Sequence, residues 1–377
     1  MMEEVVDKSM IIKTEKLQSI CKILADALDT NAIYLVTESL GLKTAGDKLI
    51  LGVTNREYFA KATIQLDQVE EEMNATITAS GFLKLIAMMN SDEIELKVVD
   101  NCLTVKGNGY YKFPLIYVQD KLLELPPIEV ENITTEMEVD ASVLSSVYTY
   151  NSSWIGQNAM NVMQKMYYID ENGALTFTSG ACVNNFTLPK PIQLFLQPKV
   201  VKLFKLFDTN SKVGVYLGRT ELQDGTLQTR VKFVDSNFEL STILPIDESL
   251  YSKYPKDAIR GRATKTYTHN VVVNVKDTIN SLSRLKLLSD DNYFGEIKFK
   301  QDHCELYLND NEETLGYYNE CDTLQDGYDL YIDFNKLIEV LKSGNEEYVT
   351  LSFGDSQAVV VSQSSIRNVI PEVKKYE

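Results

Sequence analysis

Side chains suited to proton transfer or nucleophilic attack near neutral pH are scarce in this sequence, with two histidines and five cysteines in 377 residues. His269 stands at the start of an expected strand and His303 in an expected hairpin. Neither has the spacing of a metal site or of a base paired with a nucleophile. Cys21, Cys102, Cys182, Cys304 and Cys321 are odd in number, widely spaced and without a CxxC pair, which argues against a disulfide framework and a zinc site. No GxxxxGK[ST], GxGxxG or GxSxG segment occurs. The acidic runs Glu70-Glu71-Glu72 and Asp290-Asp291 fall in expected turns, where solvated charge accounts for them. These residues give no enzyme, no metal and no cofactor. What remains is phosphate contact. Over Gln197–Asp208, Lys199, Lys202 and Lys205 recur every third residue, while Val200, Leu203, Phe204 and Phe207 keep the i, i+3, i+4, i+7 spacing of a buried helix stripe. Pro198 suits the first turn. The result is a short helix with an apolar face and a row of ammonium groups, and a merely solvated helix face is the plain alternative.

The charge balance sharpens that reading. The chain carries a formal net charge of -17, and its isoelectric point near 4.7 would repel a polyanion unless positive charge is segregated on one face. Hydrophobic residues at 44% and charged residues at 24% describe ordinary folded domains. The length fits about two or three of them. The N-terminal residues Met1–Asp7 are acidic where a signal peptide needs positive charge, and no apolar run approaches the ~18 residues of a membrane span, so a cytoplasmic protein is expected.

The elements that must position the lysines recur three times. Strand Met10-Ile11-Ile12 precedes a helix from Thr14, an expected cap, to about Leu28; β-rich runs at Ile33–Val36, Lys48–Val53 and Ala60–Ile64 follow, then a helix from Ala79 to Met89 and strands to Leu115. After Leu125-Pro126-Pro127 the same grammar restarts, with Asp140 capping a helix, strands at Met166–Ile169 and Leu175–Phe177, the lysine-row helix and three further strands. After a Tyr254-Pro255 linker it restarts again, with Asn274 and Asp333 as caps and Leu315–Asn319 among the strands. First helices near Thr14, Asp140 and Asn274 and second helices near Ala79, Gln197 and Asp333 give a repeat of roughly 130 residues. We expect an α+β protein of three similar domains, residues 1–127, 128–255 and 256–377, each packing two helices on antiparallel sheet. Lys16, Lys22, Lys84, Lys199, Lys202, Lys205, Arg284, Lys286, Lys336 and Lys342 all lie on the expected helices, off the apolar stripes. Facing one way, they would make a positive surface that touches phosphate without reading sequence.

Several stretches resemble the bacterial β sliding clamp, the processivity factor of the replicative DNA polymerase. Ile77–Ile86 followed by Asp92–Leu96 is similar to the family's second helix and next strand. Met163–Phe177 with Thr178-Ser179-Gly180 is similar to its strand pair ending in Thr-Asp-Gly, and Asn368–Glu372 resembles its closing Val-Val-Met-Pro-Met strand. The likeness spans nearly the whole chain through the order of these parts. It implies the DNA-clamp fold, with crescents pairing head to tail as a homodimer into a ring around double-stranded DNA. It also implies a pocket that takes short peptides of DNA polymerase and clamp loader. Carried over by position, that pocket would include Thr178, Gly180, Val183, Pro245, Tyr254, Val369, Ile370 and Pro371. The departures, Ala181-Cys182 for the family's His-Arg, Glu372 for an apolar residue and a tail at Val373–Glu377, are those of a divergent member, with phage origin one hypothesis. The expected function is a polymerase-tethering clamp. Its rivals are a clamp-like decoy or regulator that does not encircle DNA, a clamp recruiting RNA polymerase, and a β-rich virion or carbohydrate-binding protein.

Overall fold

A computed structural model describes residues 10–28, 34–66, 72–222, 224–245, 248–289, 293–354 and 358–373. The acidic N-terminal run Met1–Asp7, Ile33, Glu70-Glu71, Asp290-Asp291 and the tail from Lys374 lie outside the described residues. Eight α-helices occur among those described: α1 (Thr14–Ala27), α2 (Ala79–Met88), α3 (Ala141–Asn151), α4 (Pro198–Lys202), α5 (Glu248–Lys253), α6 (Lys256–Thr264), α7 (Val275–Leu287) and α8 (Phe334–Ser343). None is long and apolar enough to cross a membrane. A strand runs directly into α1, α2, α3, α7 and α8, and Gln197 alone separates a strand from α4. By contact, the chain forms two compact units, Met1–Ala141 with Leu203–Ile246, and Ser142–Lys202 with Asp247–Glu377.

The first unit holds an eight-stranded antiparallel sheet in the order Ile133–Asp140, Lys212–Glu221, Leu227–Val234, Phe238–Ile243, Tyr58–Gln65, Lys48–Thr54, Ser39–Ala45, Asn74–Thr78. Its seam joins distant parts of the sequence, with Phe238 opposite Ala62, Leu240 opposite Ala60 and Thr242 opposite Tyr58. Along Tyr58–Gln65 every second side chain is buried, the period of a strand with one face on a core. A four-stranded sheet runs in the order Met10–Lys13, Glu93–Val99, Cys102–Lys106, Tyr110–Pro114. Helix α1 buries Leu17, Ile20 and Leu24 as its spacing predicts. Thr14 does not cap it. The ladder pairs Lys13 with Glu93, and the Thr14 amide donates to the Asp92 carbonyl at 3.0 Å. Lys13 is therefore the cap position and Thr14 the first helical residue.

The second unit repeats the plan. Its eight-stranded sheet runs Gln193–Leu196, Tyr167–Asp170, Gly173–Phe177, Ala181–Asn185, Ile366–Pro371, Ala358–Gln363, Tyr348–Phe353, His269–Asn274; its four-stranded sheet runs Asn311–Gly316, His303–Leu308, Phe294–Phe299, Tyr328–Asp333. The seam pairs Ala181 with Val369 and Cys182 with Asn368. Both expected caps form: Asn274 Oδ1 accepts from the Asp277 amide at 3.1 Å, and Asp333 Oδ1 accepts from the Asn335 amide at 2.8 Å.

Other expectations shift. Leu35–Glu38 is a 3₁₀ turn and the strand begins at Ser39, because the Thr37 amide and hydroxyl both bond the Tyr34 carbonyl. The strand expected at Leu315–Asn319 lies at Asn311–Gly316, where its register against His303–Leu308 is continuous. The lysine-row helix is α for one turn and then 3₁₀ over Leu203–Leu206. Tyr254-Pro255, expected as a linker, sits between α5 and α6, with Pro255 at the cap of α6.

Candidate functional site

The second unit carries a cleft of about 230 Å³ beside its seam. One wall is the turn Thr178-Ser179-Gly180 between strands Gly173–Phe177 and Ala181–Asn185. The Thr178 amide closes that turn on the Gly180 carbonyl at 2.8 Å. Val369 and Pro371 on the neighbouring strand form a second wall, and Ala258, Ile259 and Arg262 on α6 form a third. Gly180 is required by close approach: a Cβ there would lie 2.2 Å from the Val369 carbonyl oxygen and 2.5 Å from the Trp154 ring. The lining is mostly apolar, with one guanidinium at the rim, a surface suited to apolar peptide side chains.

Beneath the cleft lies an aromatic floor. Tyr254 stacks on Tyr168 at 4.6 Å and meets Phe177 edge-on at 5.4 Å and Phe195 at 5.3 Å. Each such pair adds about 0.5–1.5 kcal/mol beyond the area it buries. The Tyr254 hydroxyl donates to the Leu175 carbonyl at 3.1 Å. Burial pushes the Tyr254 phenol well above its usual range, and the Tyr251 phenol up to about 12. These phenols are neutral packing groups.

Of the residues expected at the pocket, Thr178, Gly180, Val369 and Pro371 line the cleft together. Val183 and Tyr254 lie in the core beneath it. Ile370 points into the unit's other core, as alternation along the strand requires. Pro245 belongs to the first unit. Phe177, Ser179, Ala181 and the α6 wall line the cleft from outside the expected set. A signal for α6 is present in the sequence, since Ile259 and Ala263 are spaced by four and both are buried. At the Ala181-Cys182 departure, Ala181 lines the cleft with a methyl group, while Cys182 is fully buried in the other core.

The expected phosphate-facing residues differ in how far the fold commits them. Lys16, Lys22, Lys84, Lys199, Lys202, Lys205, Arg284 and Lys342 are exposed, and Lys286 and Lys336 half-buried. The stripe beneath the lysine row is buried as expected at Val200, Leu203, Phe204 and Phe207. Lys205 lies 3.3 Å from Asp26. Arg284 grips Glu313 through two bonds of 2.6 and 2.7 Å. Lys286 sits over the Tyr293 ring at 4.7 Å. Lys336 donates to the Ser153 carbonyl at 2.8 Å and to Glu339 at 2.6 Å.

Neither histidine and no cysteine lines the cleft. His269 contacts Thr323 at 2.7 Å, and His303 contacts Asp302 at 2.6 Å. All five cysteines are free thiols. Burial pushes Cys21 and Cys304 up to about 12, far from the range of a reactive thiolate. Among the described residues no three His, Cys, Asp or Glu side chains gather to hold a metal ion.

By sequence, no family model and no curated protein matches the chain. By structure, several solved proteins do. The DNA polymerase III subunit beta of Pseudomonas aeruginosa superposes with a TM-score of 0.81 at 15% identity, covering 97% of this chain and 100% of that one. The beta clamp of Helicobacter pylori bound to a DNA ligase peptide gives 0.78 at 14%, covering 97% and 100%. The DNA polymerase III beta subunit of Thermotoga maritima gives 0.80 at 14%, covering 98% and 100%. This chain is similar to each end to end, and its fold is that of the bacterial β sliding clamps.

Proposed function

We propose that the protein is a sliding clamp, a non-catalytic ring that encircles duplex DNA and tethers a polymerase to it. The observation that carries the reading is the end-to-end likeness to clamp structures, which covers 97% of this chain and 100% of the Pseudomonas clamp. In this reading residues 1–127, 128–255 and 256–377 are three similar domains whose helices line the hole, and the protein works in the cytoplasm. Enclosure replaces affinity. The helix lysines then need only loose contact with phosphates, which reconciles an acidic chain with a DNA partner. The cleft at Thr178, Gly180, Val369 and Pro371 is the docking place for short peptides of polymerase and clamp loader. That the H. pylori clamp is seen with a ligase peptide supports the assignment.

Two open strand edges support closure by a second copy, head to tail. In the first unit, Tyr110–Pro114 ends the four-stranded sheet and exposes Tyr110 and Tyr111 beside Lys112. In the second, Asn311–Gly316 ends the other four-stranded sheet with Glu312 exposed, and α7, which packs against that strand, ends in exposed Leu287, followed by exposed Leu288. Among the described residues each of these strands has a sheet partner on one side only, and the two carry opposite charge. The test is retention on nicked circular DNA after loading, with release when the circle is cut. A protein that binds polymerase peptides yet is never retained on the circle would instead be the decoy or regulator.

A further inference from the structure

We infer that Lys336 is a positioning residue for the cleft, holding the indole of Trp154, which in turn sets the Thr178-Ser179-Gly180 turn; this rests on the cleft being where partner peptides dock. Trp154 is the only tryptophan of the chain, and it is fully buried. It touches two walls of the cleft. On the turn, the ring edge lies where a Gly180 Cβ would be, 2.5 Å away. On the strand, its Nε1–H donates to Asn368 Oδ1 at 2.8 Å. Asn368 immediately precedes Val369, a lining residue. An indole nitrogen only donates, so this bond also dictates which way the Asn368 amide faces.

The ring is held from α8. The Lys336 ammonium stands 4.9 Å from the ring centroid and donates to the carbonyl of Ser153, the residue before Trp154, at 2.8 Å. Glu339, one turn on, accepts from the same ammonium at 2.6 Å. The backbone of Lys336 is fixed as well, since its amide donates to the capping Asp333 carboxylate at 3.3 Å. Its side chain is only 22% exposed. A cation over an indole face and out of water is attracted more strongly than one at the surface. To reach a DNA phosphate, Lys336 would have to give up the ring and two oxygens. Lys342 on the same helix is exposed and, among the described residues, makes no such contact. The structure thus assigns the two lysines of α8 different duties: Lys336 faces inward and shapes the peptide cleft.

Because the tryptophan is single, its emission reads this directly in the full-length protein. Lys336→Met keeps the stem and removes the charge. It is expected to shift Trp154 emission and to speed hydrogen exchange at the Thr178 amide by about tenfold, the scale of one broken hydrogen bond. Lys336→Arg, whose guanidinium can stack on the ring and donate to the carbonyl, is expected to restore both. Lys342→Met is expected to change neither. Where Lys336→Met unfolds, Lys336→Gln, which keeps a donor, is expected to move emission and exchange the same way. Unchanged emission and exchange in a folded Lys336 variant, or equal changes in Lys342→Met, would overturn the inference. A labelled ligase peptide of the kind seen on the H. pylori clamp adds a separate arm. Weaker binding to Lys336→Met with recovery in Lys336→Arg supports the role. No binding to the unmodified protein counts against peptide docking, while emission and exchange still decide what Lys336 does.

Discussion

Arg260 on α6 holds the carboxylate of Asp170, at the end of strand Tyr167–Asp170, through two bonds of 2.6 and 2.9 Å. The Asp170 side chain is 3% exposed and that of Arg260 21%. The pair ties the α6 wall of the cleft to the sheet beneath its floor. Removing only the guanidinium strands a buried charge, so Arg260→Met is expected to destabilise the second unit by about 3–5 kcal/mol. Replacing both partners, as in Asp170→Asn with Arg260→Met, is expected to cost less than the single change. Urea unfolding of Arg260→Met, Asp170→Asn and the double variant measures this, and an additive double variant would show the two side chains to be uncoupled.

Close approach at Gly180 supports a second prediction. A methyl group would press on both the Val369 carbonyl and the Trp154 ring, and neither is the far end of a flexible side chain. Gly180→Ala is expected to destabilise by about 1–3 kcal/mol through overpacking and to shift Trp154 emission. Ser179→Ala, on the exposed neighbour, is the control and should leave emission where it was.

How much of this is legible in the sequence depends on whether the signal is local. Period-two burial along Tyr58–Gln65 and the 3.6-residue stripe of α1 can be read from spacing, and Asn274 and Asp333 cap as their chemistry dictates. Thr14 looks like the same signal. It fails because a ladder already satisfies its amide through Asp92, a contact made across 78 residues of sequence. The seam between Ala181–Asn185 and Ile366–Pro371 leaves no local trace at all, and it is the seam that brings Gly180 beside Val369. The resemblance supplies four of the cleft residues by position. It also draws in Val183, which shares Ala181's face but lies in the core beneath the cleft, and Ile370, which strand alternation turns into the other core. Helix α6 escapes a reading that takes Pro255 as punctuation, whereas proline at a helix start is favourable.

Titration of His269 supports a prediction on pH. Burial holds its imidazole below the ordinary value of 6.5, with the rings of Tyr328 and Phe353 at 5.6 and 5.4 Å. The unfolded chain therefore takes up this proton first as pH falls. The stabilisation is fully present above the ordinary value and is lost as pH drops through it toward the folded one. The urea midpoint of the second unit is expected to fall between about pH 7.5 and about pH 5.5, and to fall less in His269→Gln. An equal fall in both would assign the acid sensitivity to other groups.

Closure of the proposed ring concentrates on the end of α7. Leu287 and Leu288 are 84% and 67% exposed, and two adjacent bare leucines are an expensive surface unless something covers them. With both replaced by Asp, the protein is expected to run at its single-chain mass of 42.7 kDa while the unmodified chain runs at twice that. Retention on circular DNA should disappear together with the dimer. A double variant that stays dimeric would place the closing contact elsewhere.

The lysine row is the sharpest test of the DNA reading, because its positions are exposed while the residues between them are buried. Val200, Phe204 and Phe207 anchor the segment, Phe204 against Phe233 at 4.8 Å and Phe207 against Phe238 at 5.0 Å. Reversing Lys199, Lys202 and Lys205 to Glu therefore leaves the packing intact, and the unfolding midpoint is expected to move little. Lys205 does face Asp26 at 3.3 Å, but a surface pair of this kind contributes only about 0–1 kcal/mol. On DNA the change should be large. Every phosphate that is no longer neutralised makes the negative slope of log affinity against log salt shallower by about 0.9, so the triple variant is expected to bind linear duplex more weakly and with a flatter salt dependence. Polymerase extension on a primed circle should become shorter per binding event at moderate salt. If extension length and salt slope both match those of the unmodified protein, the row does not face DNA, and the charge on Lys199, Lys202 and Lys205 is a solvated helix face after all.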